Sequence, residues 1–355
     1  MFLRPAYNLV LGGLAIFAVV YLVVQFVQTP ATVPSRWSLP AAIAQVSRGG
    51  EGLRGAVEPL VGAMQPQTPA APPAAERLAA FNAASALQES AGGGRVELYR
   101  RGMPGGGELV YAVARLDEAV QVAVINADGA TPGSDATGDT IWTDGQQHLA
   151  PVAEMAAAPY AVREGMELLW AMAFGFHGAV RTSNEGSVVI DGVVYRVNAG
   201  RAALCIDPSQ RASIGLFSAE QLAGCQQAIG GGPVILWEGK VANPEVVAPS
   251  GEFIPFNPLG EDFVQLDWRI KVYSGGYPKT AVCVGELPDG RSFLVLANSS
   301  GVVGVAFAQA LRDMGCHSAL GGDDDTSTQA VWRGQPLWQR QQRPVPDALA
   351  VYLRR

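Results

Sequence analysis

KTAVCVGELPDGRSFLVLANSSGVVGVAFAQALRDMGCHSALGGDDDTSTQAVWRG, residues 279–334, is the stretch around which the chain is organised. Its periodicity predicts an apolar strand at Thr280–Gly285, a Pro288–Gly290 turn and a second strand at Ser292–Ala297. A helix follows over about Val303 to Met314, closed by Gly315, and a short strand then enters the acidic, hydroxyl-rich loop Asp323–Thr328. This is a hairpin feeding a strand, helix, strand unit. In open sheets with parallel strands, ligands sit past the carboxyl ends of those strands, here the loops 298–301 and 321–328.

The order and spacing of these elements resemble the phosphodiester glycosidase domain related to the mannose-6-phosphate uncovering enzyme. That family reads roughly Arg-Thr-Ala-Val-Gly, an Asp-Gly turn, an apolar strand, a helix ending in Leu-Gly, then Leu-Asp-Gly-Gly-Gly-Ser-Thr. Upstream, Gly231-Gly232-Pro233, a strand and Glu238-Gly239-Lys240 look like the segment before the Arg-Thr motif. Downstream, Arg343-Pro344-Val345-Pro346-Asp347-Ala348-Leu349 is similar to the closing strand. The likeness covers about residues 95–355. It implies an α+β or mixed α/β domain with a mixed β-sheet and helices, and a site for a sugar phosphodiester.

Carried over position by position, the resemblance puts the family's Asp on Asp323, its three glycines on Asp324, Asp325 and Thr326, and its Ser-Thr on Ser327 and Thr328. Glycines suit such a loop because backbone N–H groups can approach phosphate oxygens without a side chain in the way. Two of the three are carboxylates here. A like charge ~4 Å from a phosphate oxygen costs about 1 kcal/mol in water and about 4 at an effective dielectric near 20. The family's Arg is Lys279, which keeps the charge and loses the bidentate fork. Its Asn-Gly-Gly-Phe-Phe turn falls on Phe174-Gly175-Phe176-His177, without the Asn. The catalytic candidates, if the site is active, are therefore Asp323, Ser327, Lys279 and His177, with Thr328 and Asn298 binding substrate. His177 reads either as a general acid or base or as part of an aromatic turn packed on Trp170. The Asp323–Asp325 run reads either as a solvated turn or as a Ca²⁺ site using Asp323 and Asp325, which share a side in extended chain. No other cofactor is expected.

Composition sets the class of the remainder. The 355 residues are 48% hydrophobic and 16% charged, enough apolar mass for a large core. A net charge of −7 without clustered Lys and Arg argues against a nucleic-acid partner. Leu9–Val27 is apolar apart from Gln25, long enough at ~1.5 Å per residue to cross a hydrocarbon core of roughly 30 Å. It predicts an uncleaved anchor in contact with lipid. A signal peptide is the rival, with only Thr29-Pro30-Ala31 near a cleavage pattern, and a buried core helix is the third reading. The short leading segment favours a single pass of the inner membrane, with the amino terminus cytoplasmic and the bulk periplasmic.

The expected organisation is thus anchor at 1–28, tether at 29–75 and domain at 76–355. The tether is rich in Pro, Ala, Gly and Gln, as solvated spacers are. Trp37–Val46 and Leu53–Met64 could also form short amphipathic helices against a membrane or partner. Within the domain, a helix is predicted over Glu76–Glu89 with Leu78, Phe81 and Leu87 as its stripe, broken by Gly92-Gly93-Gly94. Strands are predicted at Arg95–Arg101, Glu108–Leu116 and Ala119–Asn126, a loop at Ala127–Gln147, a helix at Arg163–Phe174 and a hairpin at Ser187–Val197. Cys205, Cys225, Cys283 and Cys316 allow three connectivities, of which nearest-neighbour pairing is the simplest, or free buried thiols. No zinc spacing is present.

Two functions from different classes fit. One is a membrane-tethered glycosidase acting on a sugar phosphodiester of the cell envelope. The other is a non-catalytic relative kept as a docking or stabilising subunit of a larger membrane complex, photosynthetic, respiratory or secretory, which suits the substituted loop better.

Overall fold

The computed structural model describes residues 71–129, 148–177, 185–241, 256–262, 275–338 and 342–355. Leu9–Val27, the tether up to residue 70 and most of the loop expected at 127–147 lie outside these. Among the described residues no helix is long and apolar enough to cross a membrane.

The chain opens with helix α1 (Ala74–Ala83) and the strands β1 (Ala86–Ala91), β2 (Val96–Gly102), β3 (Glu108–Arg115) and β4 (Val120–Asn126). Next come α2 (Val152–Ala157), β5 (Met166–Ala173), β6 (Val188–Ile190), β7 (Val193–Arg196), β8 (Ala203–Ile206) and β9 (Ala212–Gly215). Then follow α3 (Ala219–Leu222), β10 (Gln227–Gly230), β11 (Val234–Trp237), β12 (Lys240–Val241), β13 (Lys279–Glu286) and β14 (Ser292–Ser300). The chain closes with α4 (Gly304–Asp313), β15 (Ser318–Gly321), a 3-10 turn (Asp325–Ser327), β16 (Ala330–Trp332), β17 (Gln335–Pro336) and β18 (Asp347–Arg354).

The strands form three sheets, ordered β1-β2-β3-β14-β13-β15-β11-β12, β7-β6-β10-β8-β9 and β17-β16-β5-β18-β4. Alternation sorts their residues. Val282, Val284, Leu294 and Leu296 face a central core shared with Val122, Trp170, Met172, Leu204 and Val351 of the other two sheets. Ala281, Cys283, Val295 and Ala297 face the opposite way, under Leu78 and Phe81 of α1 and Phe307 and Leu311 of α4. Ala171 and Ala173 of β5 pack with Val152 and Met155 of α2. The large sheet is thus sandwiched between helices and the two smaller sheets.

The organising stretch folds as read: β13, a turn, β14, then α4, with Gly315 just past its end at φ 89°. β13 lies between β14 and β15, however, and each contact is antiparallel. Every strand pairing among the described residues is antiparallel, so the mixed sheet expected from the sequence is corrected. β14 and β15 still run the same way across β13, so both end at one edge of the sheet.

Two further expectations are overturned. Residues 163–174 are not a helix, because Met166–Ala173 is a strand between β16 and β18. Both faces of that strand are buried, which erases the alternation that distinguishes a strand from a buried helix. The helix expected at 76–89 stops at Ala83, and Leu87 lies 53% exposed on edge strand β1. The cysteines pair as nearest neighbours, Cys205 with Cys225 and Cys283 with Cys316, at Cα separations of 5.6 and 5.8 Å.

The sheet edge that carries the candidate loops is closed by glycines. At Gly231 a Cβ would lie 2.2 Å from Gly321 O, and at Gly322 one would lie 2.8 Å from the Phe174 ring. Gly232 N donates to Gly321 O at 2.8 Å and Gly322 N to Thr280 O at 2.9 Å. Three segments distant in sequence are thereby drawn to within backbone contact of the loop that follows β15.

Candidate functional site

β15 ends at Gly321, and Asp323 enters the loop with its N–H donating to Phe174 O at 2.8 Å. The same turn is held from the other side, where Gly175 N donates to the buried Asp347 Oδ1 at 2.9 Å. These two bonds bring His177 to Asp323, with Nδ1 3.1 Å from Oδ2 and both side chains buried. The alignment is not that of a hydrogen bond, since neither atom has a hydrogen-bond partner among the described residues; the pair is a close polar contact.

On its other ring nitrogen, His177 Nε2 lies 3.3 Å from Arg343 Nη2. A guanidinium only donates, so Nε2 must accept, and the proton of a neutral imidazole then sits on Nδ1, facing Asp323. The second arm of Arg343 reaches Ser327 Oγ at 3.5 Å. The order is Asp323, His177, Arg343, Ser327. Arg343 is exposed, whereas the three groups behind it are buried.

Of the residues singled out from sequence, Asp323, Ser327 and His177 therefore converge. Thr328, next to Ser327, and Ser299, next to Asn298, are buried with hydroxyls that find no partner among the described residues. Asn298 is buried, and its amide donates to Thr280 Oγ1 at 2.9 Å across the β13–β14 ladder.

Lys279 takes a different place. Its Nζ lies 3.1 Å from the centroid of the Tyr277 ring and 3.4 Å from Tyr277 O. Burial lowers its pKa to about 8, against the opposing charges of Asp324 and Asp325. Burial likewise lifts the Asp324 carboxyl to about 6, helped by the charge of Asp323 and opposed by a hydrogen bond with Tyr277 and by Lys279. Tyr277 is itself raised, chiefly by burial and then by Asp324. Lys279, Tyr277 and Asp324 thus form a second cluster that does not include His177.

The loop backbone is largely committed. Asp324 N donates to Asp323 Oδ1 at 3.0 Å, Asp325 N to Pro278 O at 2.8 Å, Ser327 N to Asp324 O at 3.0 Å and Thr328 N to Asp325 O at 3.2 Å. Asp325 adopts φ 54°, which a glycine would adopt at less cost. For the Ca²⁺ reading of Asp323 and Asp325, no group of three or more His, Cys, Asp or Glu able to hold a metal occurs among the described residues.

Arg343 and Asp347 are the contributors that sequence reasoning quoted only as part of a closing strand. A basic residue just before Pro-Val-Pro was the available signal. Arg201 is another: buried, bonded to Glu185 at 2.8 Å and 5.2 Å from the Phe176 ring, it braces the turn that carries His177. Burial lowers its pKa, with Glu185 acting against the shift.

An antiparallel α+β domain with a buried carboxylate, imidazole and hydroxyl beneath an exposed guanidinium defines the class: a fold built to present a polar site at one sheet edge. The chain belongs to the phosphodiester glycosidase family, whose sequence profile matches residues 168–352, just over half of its 355 residues. Among solved structures it is similar to the zebrafish N-acetylglucosamine-1-phosphodiester alpha-N-acetylglucosaminidase catalytic domain auto-inhibited by pro-peptide. That likeness has a TM-score of 0.50 at 16% identity, over 76% of this chain and 88% of that one. A hypothetical protein from Synechocystis matches with TM-score 0.54 at 13% identity over 76% of this chain; the chain spans only 64% of that protein's length. At such identities the likeness is one of fold. No curated protein matches the sequence.

Proposed function

We propose that this is a membrane-anchored, periplasmic member of the phosphodiester glycosidase family that does not turn over sugar phosphodiesters and serves as a docking or stabilising subunit of a larger membrane complex. The observation that carries the loss of catalysis is the state of the 323–328 loop. Five of its N–H groups, those of Asp323, Asp324, Asp325, Ser327 and Thr328, are spent on carbonyl and carboxylate oxygens of the protein. Where a phosphate would meet glycine N–H groups it meets Asp324 and Asp325, and the like charges repel it. Lys279 is already held against the ring and the carbonyl oxygen of Tyr277. The anchor rests on the length of Leu9–Val27, and the partner role on the apolar stripes of the tether.

One observation favours the second reading, an active hydrolase. Asp323 and His177 lie in contact under Arg343, and a guanidinium is a strong phosphate ligand. The deciding measurement is hydrolysis of a chromogenic sugar phosphodiester by the purified full chain. We expect no turnover above that of the Asp323→Ala variant. Robust turnover abolished by Asp323→Ala would establish the hydrolase.

A further inference from the structure

His177 and Ser327 are held in place from behind. Gly175 N donates to Asp347 Oδ1 at 2.9 Å, Glu185 N to Phe176 O at 2.8 Å, and the Arg201 guanidinium lies 5.2 Å from the Phe176 ring, so the turn that carries the imidazole is fixed on three sides. Ser327 is fixed by its own N–H, which donates to Asp324 O at 3.0 Å. None of these contacts involves Arg343, and the imidazole and hydroxyl keep their places without it.

Arg343 joins a pinned backbone to an exposed side chain. Gln329, 2% exposed, donates from Nε2 to Arg343 O at 2.6 Å and accepts from Val152 N at 2.9 Å, which ties residue 343 to the start of α2. Val345, two residues on, exchanges bonds of 3.0 and 3.1 Å with Ala150. From this anchored stretch the guanidinium reaches His177 Nε2 at 3.3 Å and Ser327 Oγ at 3.5 Å. A neutral imidazole has one nitrogen lone pair to offer, and it acts as base or nucleophile through that pair alone. With the proton on Nδ1 beside Asp323, the pair is on Nε2, and Arg343 takes it up.

We propose that Arg343 is an autoinhibitory cap, whose guanidinium occupies the basic nitrogen of His177 and the hydroxyl of Ser327, so that withdrawal of one side chain uncovers a reactive imidazole. This rests on the reading that the site is silent, and adds what silences its base. Only the side chain has to move, because the backbone at 343 is held by Gln329 whether the cap is on or off.

Carbethoxylation of the full chain by diethylpyrocarbonate at neutral pH, followed at each histidine by mass spectrometry of its peptide, tests this. The Nε2 lone pair attacks a carbonyl carbon of the reagent and Nδ1 sheds its proton. The departing ethyl carbonate takes up that proton and falls to ethanol and carbon dioxide. Exposed His148 is the internal standard. Wild-type His177 should react at least about tenfold more slowly than His148, and Arg343→Ala should speed it by about tenfold to a hundredfold with His148 unchanged, the factor by which a charge-assisted hydrogen bond holds a group. Arg343→Gln, shorter and uncharged, should act in the same direction, and it decides the matter if Arg343→Ala does not fold. The inference is overturned if wild-type His177 reacts as fast as His148, or if neither folded variant speeds it. A rise seen only together with a lowered melting temperature in both variants also overturns it, since the site would then have loosened rather than been uncovered. Turnover of the sugar phosphodiester by the wild type would instead overturn the proposed function. Absence of turnover with a His177 indifferent to Arg343 overturns this inference alone.

Discussion

Asp324 and Lys279 are a partly buried acid and a buried base whose ordinary values are moved towards each other by the same cause, loss of water. Their effects on stability have opposite pH dependence. Asp324 titrates at about 6 when folded, above its ordinary 3.8, so between those values the folded state holds the proton and the unfolded chain does not. Stability is lost as pH rises through that window. The difference corresponds to about 2 to 3 kcal/mol. Asp324→Asn has no such dependence, and comparing its urea midpoint with that of the wild type at about pH 4 and about pH 7 isolates the term. The variant should gain on the wild type by that amount towards neutral pH; an equal gap at both values would mean that the Asp324 carboxyl is solvated. Lys279, at about 8 rather than 10.5, works in the opposite sense, and its cost to the folded state is relieved as pH rises from 8 towards 10.5.

Secondary elements are tied together by polar pins as well as by packing. Tyr111 on β3 is fully buried, stacks on Tyr99 with ring centroids 5.2 Å apart, and places its hydroxyl 2.9 Å from both Asn82 Oδ1 and Ser85 Oγ. The one phenolic proton satisfies one of these at a time. It fastens the end of α1 to the sheet. Tyr111→Phe keeps the ring and strands those partners, so a loss of about 1 to 2 kcal/mol is expected in the urea midpoint. A change within a few tenths would show that water takes over the role. The glycine crossing near the site acts by close approach instead. With a Cβ at Gly231 only 2.2 Å from Gly321 O, Gly231→Ala should cost about 3 kcal/mol and disturb the loop after β15 with it.

At the scale of the whole molecule, each disulfide closes a subsidiary core beside the large sheet or the small one. Cys283–Cys316 lies with α1 and α4, and Cys205–Cys225 with Leu222 of α3. The central core spans all three sheets and its buried residues begin at Ala91, while those of the core under α1 and α4 begin at Leu78. The association proposed for the tether is therefore separable from folding. Deleting 38–64 while keeping the span and a Gly-Ser spacer should free the domain from the proposed complex in detergent extracts without lowering its melting temperature. Unchanged co-purification would place the association in the span or the domain. Sequencing the mature amino terminus tests the span itself: retention of Leu9–Val27 is expected, and a start near Thr32 would identify a cleaved signal.

The β13–β14 hairpin, α4 and the 187–197 hairpin were legible in the sequence, because periodicity and turn residues are local properties; the 231–240 segment was placed by resemblance, and the cysteine pairing was left open between three connectivities and free thiols until the structure decided it. Asp323, Ser327 and His177 could be singled out by resemblance, but not as neighbours of one another. Their meeting depends on bonds such as Gly175 to Asp347, between residues 172 positions apart, which no local pattern records. Arg343 belongs to the site for the same reason. β5 was misread because burial on both faces removes alternation, and Leu87 because an edge strand can leave an apolar residue in water. Local order was set by short-range chemistry along the chain; the site, and which charges answer which within it, were decided by the packing of sheets that only the tertiary structure brings together.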